Sequence, residues 1–358
     1  MSRPTSTPDS HALDARVVVA RPGHRTDVRL RADAGDVVAV IGPNGAGKTT
    51  VLSALAGLVG LDDGCVRVHD QDWTHRPVPE RDLGVVFSGQ QLFPHLDAAA
   101  NVAFGLRSRG VRRRDAAATA HAWLERFGVA DLADRRPHEL SAGQAQRVAI
   151  ARALAPRPAV LLLDEPLTAL DVRVATALRI ELAAHLTAYD GVCVLVTHDA
   201  LDALTLATRV LVLDGGRVVQ EGSPTEVSRH PQTAHVARLV GLNVLRGEGT
   251  GDRLVLPGGT ELVAVETPRG PSLASFPPAA VALHHDEPAG SMRNRWPVEV
   301  RSLAPHGGAL RVQLTLAGEE QDLIADVTPL SATDLGLVPG RRVWAALKAT
   351  EVTTYAAG

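Results

Sequence analysis

Gly42-Pro43-Asn44-Gly45-Ala46-Gly47-Lys48-Thr49 follows an apolar run at 36–41 and leads through Thr50 into a segment of helical character. Glycines in such a loop let the backbone wrap closely and aim N–H groups at phosphate oxygens. The helix behind it adds the positive end of its dipole. Lys48 is then placed to reach the β- and γ-phosphates, and the Thr49 hydroxyl to hold Mg²⁺. The lysine is itself informative. Of 37 basic side chains only Lys48 and Lys348 are lysines. A lysine is a compact point charge, whereas arginine is a broad flat fork, so both positions are candidate anion contacts.

A second element is the apolar run 160–163, which delivers Asp164-Glu165 to its end. Asp164 suits the magnesium shell. Glu165 suits the orientation of an attacking water and general-base work.

These groups need a scaffold. Residues 36–41, 160–163 and 192–196 are continuous apolar runs of strand length, and the last two are separated by a helical stretch at 172–187. Fully apolar strands alternating with helices predict a parallel sheet covered on both faces. A helix is expected from Lys48 to Gly57, short strands at 17–20 and 28–30 around Pro22-Gly23, a turn-rich piece at 60–79 and a strand at 83–87. Residues 98–155 read as helical. Within them 115–127 is alanine-rich and amphipathic with Gly128 as its stop, and Ser141 is the N-cap of a helix that Pro156 ends. A hairpin is expected at 210–213 and 217–220 around Asp214-Gly215-Gly216. Beyond Gly241 the chain turns rich in Pro, Gly, Val and Leu, with strand-like runs at 253–256, 281–283, 298–300, 310–316 and 343–347, the texture of an all-β domain. A linker is placed at 230–241, and no solenoid repeat is visible. The expected partition is a disordered polar N-terminus at 1–12, an α/β domain at 13–235, a linker with an accessory β segment at 236–290, and a small β domain at 291–357.

Composition narrows the class. The net charge of -3 lacks the basic footprint of a nucleic-acid binder, and an aromatic share of 3% offers no base-stacking platform. Cys65 and Cys193 lie far apart with no metal-ligand spacing, which suits a reducing compartment. The N-terminal stretch has no apolar core segment of a secretory signal. No run approaches the about 18 apolar residues that span a bilayer.

Further motifs make a resemblance specific. Leu140-Ser141-Ala142-Gly143-Gln144 resembles the LSGGQ signature of ABC ATPases, with alanine in third place. Asp164-Glu165-Pro166 followed by Ala169-Leu170-Asp171 resembles their Walker B and D-loop, and Val196-Thr197-His198-Asp199 their switch-histidine loop. The resemblance implies a P-loop NTPase fold with a helical subdomain and contact between the loop 42–50 and ATP. It implies a homodimer in which Ser141, Gly143 and Gln144 of one copy meet the γ-phosphate held by the other. His198 would contact that phosphate in cis and Asp171 would lie in the D-loop. Hydrolysis would let the halves part, turning ATP energy into motion.

Two departures stand beside it. Where the family carries a Q-loop glutamine, this chain reads Val86-Phe87-Ser88-Gly89-Gln90-Gln91. Either Gln90 substitutes through a shifted loop, or the link from magnesium to a permease is weaker. The family also stacks adenine on an aromatic, and only His24 stands near that place. With one nucleotide domain, no membrane span and no long arm between Gln91 and Leu140, the resemblance points to the energy subunit of an importer. It would sit peripherally on the cytoplasmic side of the membrane, with permease chains bound near Phe93-Pro94-His95 and an extracytoplasmic binding protein engaged indirectly. The run Arg112-Arg113-Arg114 reads as a solvated charge run before a helix.

Ser291-Met292-Arg293-Asn294 resembles the Ser-Ala-Arg-Asn segment of Mop-type molybdate-binding domains, and Lys348-Ala349-Thr350 their other anion-contacting loop. Such an OB-like (Mop/TOBE) domain implies a tetrahedral oxyanion, molybdate or tungstate, held as a regulatory ligand by Ser291, Arg293, Asn294, Lys348 and Thr350. Importers for sulfate, polyamine, iron or sugar share the front half, and a soluble oxyanion-responsive ATPase is a reading from another class.

Overall fold

The structure, a computed structural model, describes residues 11–89, 91–168 and 170–357. The chain divides into two compact units at Thr225/Glu226. The first runs β1 (Leu13–Arg21), β2 (His24–Ala32), β3 (Val37–Ile41), α1 (Lys48–Ala56), β4 (Asp63–Val68), β5 (Gln71–Asp72), β6 (Leu83–Val86), α2 (Ala98–Ser108), α3 (Arg113–Arg126), α4 (Ala142–Leu154), β7 (Val160–Asp164), α5 (Val172–Thr187), β8 (Val192–Val196), α6 (Ala200–Leu206), β9 (Arg209–Asp214) and β10 (Arg217–Gly222).

Its centre is a six-stranded sheet in the order β10-β9-β3-β8-β7-β6. Every residue of β3, β7 and β8 is buried, as their unbroken apolar sequences demand of strands covered on both faces. These strands pair in parallel, so the residues that follow β3, β7 and β8 emerge along one edge. That edge gathers the loop after Ile41, the carboxylates after Leu163 and the loop after Val196. One core joins α2, α3, α4 and α5 to one face of the sheet; a second packs α1 between the other face and the sheet β2-β1-β4-β5.

The stretch at 60–79 holds β4 and β5, hidden in the sequence by charged residues and Gly64. This glycine sits at φ 97°, and a Cβ there would lie 2.0 Å from Arg16 O, so the strand can close on β1 only with glycine. The helix expected at 115–127 starts at Arg113, which puts Arg113 and Arg114 in its exposed first turn. Residues 1–10 lie outside the described part. Ala12 is buried, and His11 Nδ1 lies 2.9 Å from Asp33 Oδ1, so these two residues of the stretch 1–12 are ordered.

After α7 (Pro224–Arg229), the second unit continues α8 (Ala234–Leu239), β11 (Asn243–Gly249), β12 (Arg253–Val255), β13 (Glu261–Val263), β14 (Gly270–Phe276), β15 (Ala282–His284), β16 (Asn294–His306), β17 (Ala309–Leu316), β18 (Asp322–Val327), α9 (Pro329–Asp334), β19 (Arg342–Leu347) and β20 (Thr353–Ala356). Its five-stranded sheets run β13-β12-β11-β14-β20 and β15-β19-β16-β17-β18. They are two copies of one plan. Asn243 opposes Phe276 as Asn294 opposes Leu347, and single 3₁₀ turns at Pro278–Ala280 and Ala349–Glu351 follow.

Each half then lends its last strand to the other. β20 pairs with β14, where Leu273 faces Tyr355, and β15 pairs with β19, where Trp344 faces His284. Two amides clasp the halves in matching fashion. Asn243 Oδ1 accepts from Ile324 N at 2.7 Å and its Nδ2 donates to Ile324 O at 2.9 Å. Asn294 Oδ1 accepts from Val263 N at 2.6 Å and its Nδ2 donates to Val263 O at 2.9 Å. One core draws on both halves, with Leu245, Leu254 and Phe276 beside Trp296, Leu314 and Leu347. The stretch assigned to a linker and accessory segment therefore builds half of this unit.

Candidate active site

The loop 42–49 has its shape because three glycines take backbone conformations closed to other residues. Gly42 sits at φ 155°, where a Cβ would fall 2.2 Å from Leu213 O. Gly45 and Gly47 stand at φ 81° and 101°, and a Cβ on Gly47 would fall 2.8 Å from Thr26 Oγ1. Gly47 is the N-cap of α1 and brings no side chain to the cap, so the first-turn N–H groups are left for an anion. Pro43 O accepts from Ala46 N at 3.2 Å, which turns the loop back toward the helix. Asn44, Gly45 and Thr49 are exposed, Thr50 is half-buried, and Ala46 anchors the loop in the core. Lys48 is buried, and its Nζ donates to Gly42 O at 2.8 Å and Pro43 O at 3.0 Å. Burial pulls its pKa below the ordinary lysine range, against the opposing pull of Glu165 and Asp164.

Asp164 ends β7 opposite Val196 of β8, and Glu165 N donates to Val196 O at 2.8 Å as the chain leaves the sheet. Glu165 takes φ 48°, a left-handed conformation that a non-glycine residue adopts at a cost of about 1–3 kcal/mol. Its Oε1 lies 3.2 Å from His198 Nδ1. The Asp164 carboxyl is buried, and its pKa is pushed up by burial and by the Glu165 charge, against the pull of Lys48. A divalent cation would relieve that arrangement. A threonine hydroxyl and a carboxylate are hard oxygen donors of the kind Mg²⁺ takes while keeping several waters, so Thr49 and Asp164 fit it.

Ser141 is exposed at the N-terminus of α4, in a reciprocal cap. Its Oγ accepts from Gln144 N at 3.4 Å, and Gln144 Oε1 accepts from Ser141 N at 2.9 Å. Gln144 thus holds the helix end in place. Asp171 caps α5, accepting from Arg173 N and Val174 N at 3.1 and 3.0 Å. Gly143 lies directly against Val174, which joins the starts of α4 and α5.

In the second unit, Ser291, Arg293, Lys348 and Thr350 are all exposed. Because Asn294 pairs with Leu347, Arg293 and Lys348 continue from the same end of the β16–β19 ladder. Asn294 is set apart from them: it is buried and its amide is occupied by Val263. The other half shows why. Its equivalent position is Asn243, bonded in the same way, while Val240, Leu242, Pro277 and Ala279 stand where this half has Ser291, Arg293, Lys348 and Thr350. The shared asparagine holds the fold; the polar groups belong to one half alone.

The ABC transporter family profile matches residues 26–168, and the TOBE domain matches 290–354. The molybdenum import ATP-binding protein ModC of Mycobacterium tuberculosis is 41% identical over 361 aligned positions, covering 96% of this chain and 97% of that protein. The chain belongs to the ATP-binding subunits of ABC transporters. A sulfate/thiosulfate import ATP-binding protein, CysA 2 of Chromobacterium violaceum, is 38% identical over 90% of this chain and 88% of its own length. A solved ATP-binding cassette, captured as a dimer in a post-hydrolysis state with ADP and Pi, superposes with a TM-score of 0.52 at 27% identity, over 59% of this chain and 98% of that one. As a member of this family the chain is a transport ATPase that binds ATP.

The Q-loop of this ABC ATPase departs as its sequence does. Ser88 is exposed in a turn with Gly89 at φ 84°, and Gln90 lies outside the described residues. Gln91 takes φ 43°, and its carbonyl accepts from Arg152 Nη1 at 2.9 Å. Arg152 lies over the Phe93 ring at 5.3 Å. Beside it runs a groove of about 600 Å³ lined by Phe87, Phe93, Phe104, Arg109, Arg152 and Pro156. Phe104 and Asn101 were missed in the sequence. Asn101 is fully buried and fixes the Phe93 turn, its Oδ1 accepting from Phe93 N at 2.8 Å and its Nδ2 donating to Phe93 O, Leu96 O and Asp97 O. An asparagine one turn before a phenylalanine on an apolar helix was the available signal. His24 is half-buried beside Gly47, its Nε2 3.2 Å from Thr26 Oγ1.

Proposed function

We propose that this chain is the energy-coupling ATPase of a molybdate importer, with tungstate as a related cargo. The loop 42–50 takes the triphosphate, with Lys48 exchanging its bonds to Gly42 and Pro43 for phosphate oxygens. Thr49 and Asp164 hold Mg²⁺, which when bound supplies positive charge against the phosphates. Glu165 accepts the proton of the attacking water, and His198 contacts the γ-phosphate from the neighbouring strand end. Two copies close head to tail, with the exposed N-terminus of α4 (Ser141 and Gly143) completing the partner's site and Asp171 at the seam. Gln144 supports that helix end through the cap. The groove beside Phe93 and Phe104 takes a permease helix, which keeps the chain peripheral on the cytoplasmic side of the membrane and links it indirectly to an extracytoplasmic binding protein.

The observation that carries the oxyanion reading is the inequality of two otherwise matching halves. Ser291, Arg293, Lys348 and Thr350 are gathered where the other half has only Val240, Leu242, Pro277 and Ala279. Similarity to ModC over nearly the whole chain supports the same cargo. Hydroxyls, a guanidinium, an ammonium and turn N–H groups suit a tetrahedral dianion. Asn294 is left out of this set.

Isothermal titration of the full-length chain with molybdate, tungstate and sulfate tests it. The expected result is heat with molybdate and tungstate at about one anion per chain, weakened by Lys348→Arg because a flat fork replaces a point charge. Heat with sulfate alone points to a sulfate importer and overturns the molybdate assignment. Oxyanion binding by a protein whose ATP turnover survives Glu165→Gln overturns the transport-engine reading.

A further inference from the structure

Both neighbours of His198 are tied to one buried arginine. Thr197 is 1% exposed; its Oγ1 donates to Asp202 Oδ2 at 3.0 Å and accepts from Asp199 N at 3.0 Å. Asp202, 2% exposed on α6, accepts from Arg179 Nε at 2.7 Å. Arg179 Nη2 reaches past it to Asp199 Oδ2 at 3.0 Å. Arg179 stands on α5 between the core residues Leu178 and Leu182, on the helix that Asp171 caps. Two residues on, Glu181 pairs with Arg147 of α4 at 2.6 Å.

Packing alone does not explain this cluster. A buried arginine–carboxylate pair gives little net stability over apolar residues of similar volume, because both charges must leave water. What it provides is direction: a planar fork donates to two carboxylates only in one orientation. Here one carboxylate, Asp199, directly follows His198 and the other, Asp202, holds Thr197 on its other side, around an imidazole that must meet the γ-phosphate and already lies 3.2 Å from Glu165.

We infer that Arg179, with Asp202 and Thr197, forms a positioning cluster that fixes His198 for hydrolysis and ties its loop to the helix beginning at Asp171. The inference rests on the role of His198 proposed above. Arg179 touches no substrate in this scheme; it acts through the loop.

The test is a set of variants in the full-length chain, each made alone and in a His198→Ala background, with ATPase kinetics, affinity for a fluorescent ATP analogue and Tm measured together. Arg179→Met should lower kcat about 10²-fold, the scale of a small displacement of a reacting group, with analogue affinity unaltered. Thr197→Val removes only the hydroxyl anchor, introduces no uncompensated charge and should lower kcat in the same direction; it keeps the test decisive if Arg179→Met fails to fold. Arg179→Lys should recover part of the rate without the fork. In the His198→Ala background neither Arg179→Met nor Thr197→Val should lower the residual rate further. Equal losses in both backgrounds, or an unaltered kcat with Thr197→Val, overturn the inference. A full rate in His198→Ala alone overturns the assignment of His198 itself, and the positioning role with it.

Discussion

Gly143 and Val174 meet with no space for another atom: a Cβ on the glycine would come within 2.7 Å of Val174 Cγ1. The contact joins the first turn of α4, where Ser141 is displayed, to the first turn of α5, where Asp171 is the cap. Two surfaces proposed to meet a second copy are thereby held as one piece.

Gly143→Ala should therefore act as an overpacking change, costing about 1–3 kcal/mol and lowering ATP turnover through displacement of Ser141. Adding Val174→Ala should restore much of both. Calorimetric Tm and steady-state ATPase rates of the single and double variants check this; a double variant no better than the single would refute the contact as the cause.

Glu165→Gln keeps the side chain's shape but removes the base. Turnover should fall by about 10²–10⁴-fold, while ATP is still bound and chains accumulate as dimers. Radiolabelled ATP retention and size-exclusion chromatography with light scattering read the two effects separately.

The two asparagine clasps should prove equivalent for stability and unequal in nothing else. Asn243→Ala and Asn294→Ala each leave a backbone N–H and C=O without their partner, at a cost of about 2–3 kcal/mol. Thermal unfolding without any oxyanion measures this. A drop confined to Asn294→Ala, or appearing only with molybdate present, would return Asn294 to the anion site.

Arg311 donates from Nε and Nη2 to the two oxygens of Asp326, at 2.9 and 2.8 Å, across β17 and β18. Hydrogen bonding from that guanidinium holds the Asp326 carboxyl below its usual range. Its folded pKa lies under its unfolded one, so the stabilisation is complete above an ordinary aspartate value of about 3.9 and disappears as pH falls through the folded value. Asp326→Asn should lower Tm near pH 7, by an amount matching about 1 kcal/mol for a two-bond pair, and the gap from the parent chain should close in acid. A gap that widens below that range would have the sign wrong.

The first unit was legible because its signals are local. A glycine loop after an apolar strand, an N-cap serine and three fully apolar strands each declare themselves within a few residues, and β7, α5 and β8 fall on the stretches read from the sequence. The relation of Thr197 to Arg179 was invisible, since it depends on how α5 and α6 pack. The second unit was harder for another reason. Its strands were recognised singly, but β11, β14 and β18 carry glycine, serine or charge in place of clean alternation. The duplication lies in pairing register and survives in sequence as little more than Asn243 and Asn294. Grouping Asn294 with its polar neighbours was natural from sequence, because burial alone separates it from Arg293.

The exchange of closing strands has a consequence for how the chain comes to be made. Residues 353–356 form the outer edge of a sheet whose other strands lie between residues 243 and 276. On the ribosome, β14 must therefore wait with that edge open until the residues of β20 have been made. Loss of β20 would uncover the segment around Leu273 and Ala274 rather than its own surroundings.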